Sequence, residues 1–358
     1  MRTLPRSAIV VMVVILAGLI ALNFYSGFST STSSNGWNPI PAYPLETGGA
    51  RSVVGQSCVD SAGYVYCIGG EDTNNTPTSS VYFSEVSTSG IGNWSLSSNP
   101  YPTPIVFQSC ATSSGFVYCV GGVHDTLGSD TAASYYAALS PAGVGTWSAT
   151  TPFPVPADAL SCVASSSAIY CVGGENETDG TSASTRISSS VWYAGLSSTG
   201  IGDWARASDY PANVYFPSCS SLGSYVYCVG GEDSAHAPEN STYFSYVTSS
   251  GMGAWTAGPE YPIQVIAASC ATVYSSIYCV GGLQTGGATA SSVYSSITTP
   301  SGMGKWQPGP AYPSGVATDC AANVGVLYCV GGYSAGTGPT GDGSFIALSA
   351  IAAASTSS

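Results

Sequence analysis

Short segments in which hydrophobic and polar residues alternate make up most of the chain, and stretches rich in Gly, Ser and Asn separate them. Alternation with a period of two residues predicts β-strands that bury one face. No helical period appears outside the N-terminal segment, where residues 8–25 are almost wholly apolar. The pattern therefore predicts an all-β protein preceded by one N-terminal hydrophobic segment.

The strand pattern recurs along the chain, and a pair of cysteines marks each copy. In every pair the second cysteine follows the first by nine positions and lies in a Tyr-Cys-hydrophobic-Gly-Gly string. The first cysteines are 52, 52, 57, 51 and 50 residues apart. A period of about 50 residues is a signature of repeat architectures. The six pairs are Cys58 with Cys67, Cys110 with Cys119, Cys162 with Cys171, Cys219 with Cys228, Cys270 with Cys279 and Cys320 with Cys329.

The spacing within each cysteine pair indicates a disulfide across a β-hairpin. The two residues midway between the cysteines are turn-prone, as in Ala62 and Gly63. A two-residue turn there places the cysteines opposite each other on adjacent antiparallel strands, with Cβ atoms about 4.5–5.5 Å apart. The competing interpretation is zinc, but a zinc site needs four clustered ligands, and the chain has only two histidines. Six disulfides imply an oxidising compartment, and no metal is assigned to the cysteines.

Each repeat continues after its Gly-Gly with a polar loop, a short strand and a turn of the form Gly-hydrophobic-Gly-x-Trp. An aromatic residue lies twelve positions before the Trp, and an aromatic-Pro pair follows it. One repeat therefore contains four strands, named a to d, with the cysteines on strands a and b. The aromatic and Trp positions are Tyr82 with Trp94, Tyr135 with Trp147, Trp192 with Trp204, Tyr243 with Trp255 and Tyr294 with Trp306.

The last repeat lacks its Trp, and the missing part is found at the other end of the chain. Trp37 and the pair Tyr43-Pro44 match strand d, with no strands a to c before them. The N-terminal segment is therefore predicted to complete the last repeat and close a ring of six four-stranded blades, which removes exposed sheet edges. Residues 37–350 then form one β-propeller, and residues 351–358 form a disordered tail.

The Gly-Gly doublet, the downstream Tyr and the later Trp, repeated over about residues 36–350, resemble the kelch repeat. The resemblance implies a kelch-type β-propeller in which the b–c and d–a loops share one face, where ligands usually bind. Two features depart from the kelch pattern: the spacing from Tyr to Trp is longer, and kelch repeats do not generally carry the cysteine pair. The Gly-Gly and the aromatic series are interpreted as structural, with glycine permitting a tight backbone approach and the aromatic side chains wedged between blades.

Residues 1–25 are interpreted as a signal anchor or a signal peptide, because Arg2 and Arg6 precede the apolar segment. No clean cleavage site follows, which favours an uncleaved, single-pass anchor with the propeller outside the cytoplasm; cleavage would give a secreted protein. Residues 26–36, rich in Ser and Thr, are predicted to form a flexible stalk. Beyond the anchor, 19 acidic residues outnumber four basic ones. This charge argues against nucleic acid as a partner.

Acidic residues mark the predicted b–c loops of the first four repeats, whereas the last two repeats carry none at matching positions. The simplest interpretation is a solubilising loop surface. The alternatives are recognition of an extracellular protein or glycan and binding of a divalent cation. Calcium would need about six to eight converging oxygen ligands, and no other cofactor is expected. The candidate ligand-binding residues are Glu71, Asp72, Asp125, Glu175, Glu177, Glu232 and Asp233.

The function expected from these features is non-catalytic binding of a surface protein, a glycan or a second copy of the chain through the b–c/d–a loop face. The first alternative is a secreted carbohydrate-active hydrolase, since glycoside hydrolysis needs two carboxyl groups about 5–10 Å apart. The second is a structural subunit of a cell envelope or filament. No residue is assigned as catalytic. Four sequons are candidate glycosylation sites: Asn74, Asn93, Asn176 and Asn240.

The scarcity of basic residues also predicts that the fold tolerates acid. Acid denaturation acts mainly by protonating carboxylates whose ionised form is paired in the native state. Few carboxylates in this chain have a basic side chain available to pair with, so protonating them is expected to cost little.

Overall fold

A computed structural model describes residues 36–44, 53–72, 74, 76–124, 129–176, 186–248, 251–299 and 302–348. The strands form six antiparallel sheets. The innermost strands of successive sheets contact one another in chain order, and the last contacts the first. The structure therefore confirms an all-β, six-bladed β-propeller with four antiparallel strands in each blade.

The four strands of each blade run from the central channel outward, in the order a, b, c, d. The innermost strands, a, are β2 (Ser57–Ser61), β7 (Ser109–Ser113), β12 (Ser161–Ala164), β17 (Ser218–Leu222), β22 (Ser269–Val273) and β27 (Ala317–Asn323). Strands b are β3 (Tyr64–Ile68), β8 (Phe116–Val120), β13 (Ala168–Val172), β18 (Tyr225–Val229), β23 (Ser276–Val280) and β28 (Val326–Ser334). Strands c are β4 (Val81–Ser87), β9 (Ser134–Ser140), β14 (Val191–Ser197), β19 (Thr242–Thr248), β24 (Val293–Thr299) and β29 (Gly338–Ala347).

The outer strand d of blades 1 to 5 is divided into two short segments that both pair with strand c. The segments are β5 (Gly90–Ile91) and β6 (Ser95–Leu96), β10 (Gly143–Val144) and β11 (Ser148–Ala149), β15 (Gly200–Ile201) and β16 (Ala205–Arg206), β20 (Gly251–Met252) and β21 (Thr256–Ala257), and β25 (Gly302–Met303) and β26 (Gln307–Pro308). In blade 6 the outer strand is β1 (Asn38–Pro39). Within the described residues, a single 3-10 turn, Thr285–Gly287, lies in the b–c loop of blade 5.

All six predicted disulfides are present, each between strands a and b of one blade. The two cysteines of every pair lie directly opposite each other in the strand register. Their Cα atoms are 4.0 Å apart in each case, and none of the cysteines is free. Each disulfide closes a short loop, so the chain-entropy estimate is roughly 2–3 kcal/mol per bond. The bonds join Cys58 to Cys67, Cys110 to Cys119, Cys162 to Cys171, Cys219 to Cys228, Cys270 to Cys279 and Cys320 to Cys329.

The N-terminal strand closes the ring, as the missing Trp in the last repeat predicted. Asn38 pairs with Phe345 and Pro39 with Ser344, so β1 is the outer strand of blade 6. Trp37 is 1% exposed, and its indole N–H donates to the carbonyl of Pro310 in blade 5 at 2.9 Å. Its ring packs edge to face against Tyr312 at 4.9 Å between centroids.

The Gly-Gly doublet lies where each blade approaches the next. The N–H of the second glycine donates to a carbonyl of the following blade, as from Gly122 to Ala157 at 2.8 Å. In the last blade, the N–H of Gly332 donates to the carbonyl of Val53, which leads into blade 1, at 3.0 Å. A Cβ atom on the first glycine, Gly121, would lie 2.3 Å from the same Ala157 oxygen. Both glycines have positive φ. The doublet is therefore structural, as the sequence predicted.

The aromatic series packs between blades. Tyr261, from the aromatic-Pro pair, contacts Tyr294 and Trp306 of the next blade edge to face, at 5.3 and 5.0 Å. The Trp306 indole N–H donates back to the Pro259 carbonyl at 3.1 Å. Edge-to-face pairs of this kind contribute about 0.5–1.5 kcal/mol each beyond their buried area. The same contacts are made on neighbouring blades by Tyr43, Tyr101, Phe153 and Tyr210.

The predicted anchor of residues 1–25 and the tail of residues 351–358 lie outside the described residues, as does the stalk except for Gly36. Within the described ranges, no helix combines the length and the apolar character that a membrane crossing requires. The anchor and the stalk therefore stay predictions.

We expect Trp37→Ala to destabilise the propeller by about 3–5 kcal/mol, because it removes a fully buried ring and the indole N–H bond that ties blade 6 to blade 5. Urea unfolding of the purified protein measures this change. Leu96→Ala, on the exposed outer strand of blade 1, is the control and should change stability by at most about 0.5 kcal/mol. Equal midpoints for the two variants would contradict closure of the ring by the N-terminal strand.

Candidate functional site at the channel mouth

The d–a loops line the mouth of the central channel on the b–c loop face. One residue of each loop in blades 1 to 5 has a left-handed backbone conformation. From blade 2 onward, each donates its N–H to the carbonyl of the equivalent residue in the preceding blade, beginning with Phe107 to Gly55 at 2.9 Å and ending with Ala267 to Phe216 at 3.3 Å. These backbone bonds hold the mouth in one arrangement. The five residues are Gly55, Phe107, Ala159, Phe216 and Ala267.

Two phenyl rings meet at this mouth. Phe107 and Phe216 have φ of 58° and 50°, a region that bulky residues rarely occupy. Their rings pack edge to face with centroids 5.3 Å apart, although their blades are separated by blade 3. A Cβ atom at Gly55 would lie 2.6 Å from the Phe107 ring, so the blade 1 position needs glycine. Strained backbone of this kind concentrates at functional sites.

A hydroxyl group and charged groups lie on the Phe216 side of this pair. Tyr215 packs against Phe216 at 4.4 Å, and its hydroxyl donates to Oδ2 of the buried Asp158 at 3.3 Å. Glu175 forms an ion pair with Arg186, with 3.3 Å between Oε1 and Nε. Burial raises the pKa of Tyr215 well above its usual value, and Asp158 and Glu175 raise it further. The tyrosine therefore stays a hydrogen-bond donor at any physiological pH. Together Phe107, Asp158, Glu175, Arg186, Tyr215 and Phe216 form what we call the mouth cluster.

Three of the predicted acidic residues, Glu71, Glu175 and Glu232, occupy the same position directly after a Gly-Gly. The backbone of each forms a β-bridge with the d–a loop beside it. Glu175 alone of these three belongs to the mouth cluster. Burial, and then Asp72, raises the pKa of Glu71, whereas Glu232 contacts the His236 ring at 2.5 Å. The matching sequence positions thus occupy matching places on the blades, but their carboxylates have different partners.

Asp72 and Asp233 shape their own loops. Asp72 Oδ1 accepts the backbone N–H groups of Asn74 and Thr76, at 2.8 and 3.0 Å. Asp233 Oδ1 accepts those of Ala235 and Ala237, at 2.8 and 2.9 Å. Short side chains that bond to the backbone in this way fix turns. Their carboxylates are therefore engaged in loop structure in blades 1 and 4.

Asp125 and Glu177 lie outside the described residues. Among the described residues, no group of three or more His, Cys, Asp or Glu side chains is arranged to hold a metal ion, so calcium stays a prediction. Glycosylation is likewise untested, but the sequons differ in access. Asn74 and Asn93 are exposed, Asn240 is half-buried and Asn176 is 8% exposed.

The channel below the mouth is a cavity of about 380 Å³ lined by the six a strands. It contains two carboxyl groups that the sequence did not single out, Asp60 and Asp319. Surrounding protein desolvates both, although each is reached from the channel. Burial raises the pKa of Asp60 to about 6, against its own backbone N–H bond, and raises the pKa of Asp319 to about 7, against hydrogen bonds from Cys58, Ser269 and Cys320.

The repeat alignment contains the signals that locate these missed residues. The position directly before the first cysteine is Ser in five repeats and Asp319 in the sixth. The position three before that cysteine is Gly or Ala in four repeats, but Phe107 and Phe216 in repeats 2 and 4. A departure from the repeat therefore identifies both the channel carboxylate Asp319 and the mouth rings, whereas the b–c loop acids stand out by their charge and by their matching positions in four repeats.

Comparison with known proteins supports the fold. No family model matches this chain, and no curated protein matches it. A solved structure titled "Structure of YjhT" matches with a TM-score of 0.67 and 13% sequence identity, covering 85% of this chain and 95% of that chain. At this identity the likeness shows the propeller fold and carries no information on activity.

We expect Asp72→Ala and Asp233→Ala each to lower stability by about 0.5–1 kcal/mol, because each removes the acceptor of two exposed backbone N–H groups, which water then solvates. Hydrogen exchange of the b–c loops of blades 1 and 4 should increase in the corresponding variant. Asp203→Ala, which removes an exposed carboxylate between β15 and β16, is the matched control. Unchanged exchange in both loops would show that these aspartates do not organise them.

Proposed function

We propose that this protein is a non-catalytic, kelch-like propeller, anchored in the membrane with its propeller outside the cytoplasm, and that it binds glycans at the mouth cluster. The observation that carries the proposal is the contact between Phe107 and Phe216 on left-handed backbone at the channel mouth. Elsewhere in the described chain the large aromatic side chains mostly pack between blades, where burial explains them.

The chemistry of the mouth cluster suits a sugar. The C–H faces of a sugar ring pack on aromatic rings, and its hydroxyl groups bond to carboxylates, guanidinium groups and phenols. Phe107 and Phe216 offer the apolar surface, while the half-buried Arg186 and Tyr215 offer directional partners within the same cluster. An apolar surface with a few convergent polar groups is the usual composition of a small-ligand site.

The charge of the mouth cluster indicates which class of sugar it favours. Asp158 and Glu175 outnumber Arg186, and Asp130 is close enough to raise the pKa of Tyr215 further. The whole chain has a net charge of −13. Neutral or amino sugars are therefore favoured over sialylated or sulfated glycans, which this field would repel.

One observation supports glycoside hydrolysis as the second candidate. The backbones of Asp158 and Glu175 face each other in a β-bridge, so two carboxyl groups belong to one small region of the mouth. Glycosidases use a pair of carboxyl groups on either side of the scissile bond. Binding is favoured because Asp158 accepts from Tyr215 and Glu175 is paired with Arg186, which engages both carboxylates in the structure.

The test is a glycan array probed with the purified protein and with a Phe107→Gly, Phe216→Gly double variant. Glycine removes the strain that the left-handed conformation imposes on phenylalanine, of order 1 kcal/mol at each position. This gain offsets part of the packing energy that is lost with the ring. We expect glycan binding to fall at least tenfold while the melting temperature changes by only a few degrees.

Ala159→Gly is the matched control, because it relieves the same backbone conformation between the two rings without removing an aromatic side chain. Its binding should equal that of the wild type. Full binding by the double variant would contradict the proposal. Release of reducing sugar from a bound glycan, lost in Asp158→Asn and Glu175→Gln, would favour hydrolysis instead.

A further inference from the structure

A ring of side chain to backbone hydrogen bonds joins the six a strands around the channel. In five junctions a serine hydroxyl oxygen accepts the N–H of the first cysteine in the next blade. The bonds are 2.8–3.0 Å long. The serines accept as follows: Ser57 from Cys110, Ser109 from Cys162, Ser161 from Cys219, Ser218 from Cys270 and Ser269 from Cys320.

The sixth junction uses a carboxyl group in place of the hydroxyl. Asp319 of blade 6 accepts the N–H of Cys58 in blade 1. A second carboxyl group lies at the same junction, where Asn323 of blade 6 donates to Oδ2 of Asp60 in blade 1 at 3.2 Å. At the position of Asp60, blades 2 and 5 carry threonine. We call this junction, where β27 meets β2, the seam.

At all six junctions the chain leaves the outer strand of one blade and enters the inner strand of the next. Blade 6 differs because its outer strand, β1, comes from the N-terminal end of the chain and is joined to β29 only by backbone pairing. At the seam, β27, β28 and β29 at the C-terminal end meet β1 and β2 at the N-terminal end through non-covalent contacts. Local opening is therefore expected to begin at the seam.

Two carboxyl groups, those of Asp60 and Asp319, lie at the seam. Among the described residues, no Lys, Arg or His pairs with Asp60 or Asp319. The flanking strands β7 and β22 carry no ionisable side chain. From β28, Tyr328 is fully buried, and burial followed by Asp60 and Asp319 raises its pKa well above its usual value. The remaining titratable groups on β3, β28 and β29 are Tyr64 and Tyr66 on β3, Tyr333 on β28 and Asp342 on β29.

We propose that Asp60 and Asp319 make the seam a pH-sensitive latch, which is closed in acid, when both carboxyl groups hold protons, and weakened at neutral pH, when they ionise. A protonated carboxyl group in this position accepts from Cys58 as a serine does. An ionised one brings a desolvated negative charge to the place where the C-terminal strands are held to β1 and β2 by non-covalent contacts alone.

The sign of the effect follows from linkage. Both groups have pKa values in the folded protein, about 6 and about 7, above their ordinary value of 3.8. Between pH 3.8 and 7 the closed state therefore binds more protons than the open state, and raising the pH opens the seam. The stabilisation is fully present below about pH 4 and is lost as the pH rises through about 6 to 7. A seam that is more stable in acid agrees with the acid tolerance that the sequence predicts, and it assigns part of that tolerance to the junction between blades 6 and 1.

Hydrogen exchange of the purified full-length protein at about pH 5 and about pH 8, corrected for intrinsic exchange rates, tests the latch. Opening measured in β2, β27 and β29 should be at least tenfold more frequent at the higher pH, because one pKa unit corresponds to about a tenfold change. Strands β12 and β13, on the far side of the ring, should show a smaller change.

The residues that other repeats carry at the positions of Asp319 and Asp60 provide substitutions that test these two carboxyl groups apart from the others. Asp319→Ser and Asp60→Thr, combined, should remove the pH dependence of opening at the seam and protect it at the higher pH. Asp209→Ser removes an exposed carboxylate that pairs with Arg206 and should leave the pH dependence unchanged. Should Asp319→Ser prevent folding, Asp319→Asn keeps an acceptor oxygen and is expected to remove the pH dependence of opening in the same way.

Two results would overturn the latch. One is an equal pH dependence of exchange in wild type and the double variant, which would assign the effect to other carboxylates. The other is exchange at the seam that does not change between the two pH values in the wild type.

Discussion

Backbone contact between neighbouring blades is the constraint on which the rest of this structure depends. The N–H of the second glycine in each doublet donates to the following blade, and the first glycine leaves space for the same carbonyl oxygen, only 2.3 Å from a Cβ at Gly121. No single blade buries both of its faces, so stability comes from neighbours and from closing the ring. The disulfides act within blades. They strengthen each unit but do not join one unit to the next.

The same contacts position the candidate ligand site. Because the d–a loops are bonded to the Gly-Gly of one blade and to the d–a loop of another, the left-handed residues at the mouth are held in place from two sides. Phe107 and Phe216 can therefore occupy a backbone region that is unfavourable for them. A rigid frame that supports a locally strained, partly exposed aromatic pair is a common arrangement for binding sites.

The channel shows how a repeat protein can differ at one junction. Five serines and one aspartate make equivalent hydrogen bonds, yet only Asp319 changes charge with pH. It does so at the seam, where the C-terminal strands meet the N-terminal strands through non-covalent contacts. The position of a substitution in the ring therefore decides its effect as much as its chemistry does.

The sequence by itself determined the repeat, the number of blades, the disulfide pairing and the closing role of Trp37. These features depend on local spacing and on alternation with a period of two, which the chain contains in six copies. The pairing of Cys320 with Cys329, for example, follows from the same nine-residue spacing and central turn as the other five. The sequence pattern also located the b–c loops, but it does not distinguish Glu71, Glu175 and Glu232, which occupy the same position after the Gly-Gly doublet.

Only the tertiary structure decided which side chains meet. Phe107 and Phe216 belong to repeats 2 and 4, and Asp60 and Asp319 are separated by most of the chain. Their proximity follows from the curvature of the ring, which brings non-adjacent blades together at the channel mouth and joins the first blade to the last. Desolvation of the two aspartates depends on the surrounding channel wall. Residue spacing along the chain predicts neither the proximity of these side chains nor the desolvation of the aspartates, because both arise from closing six units into one ring.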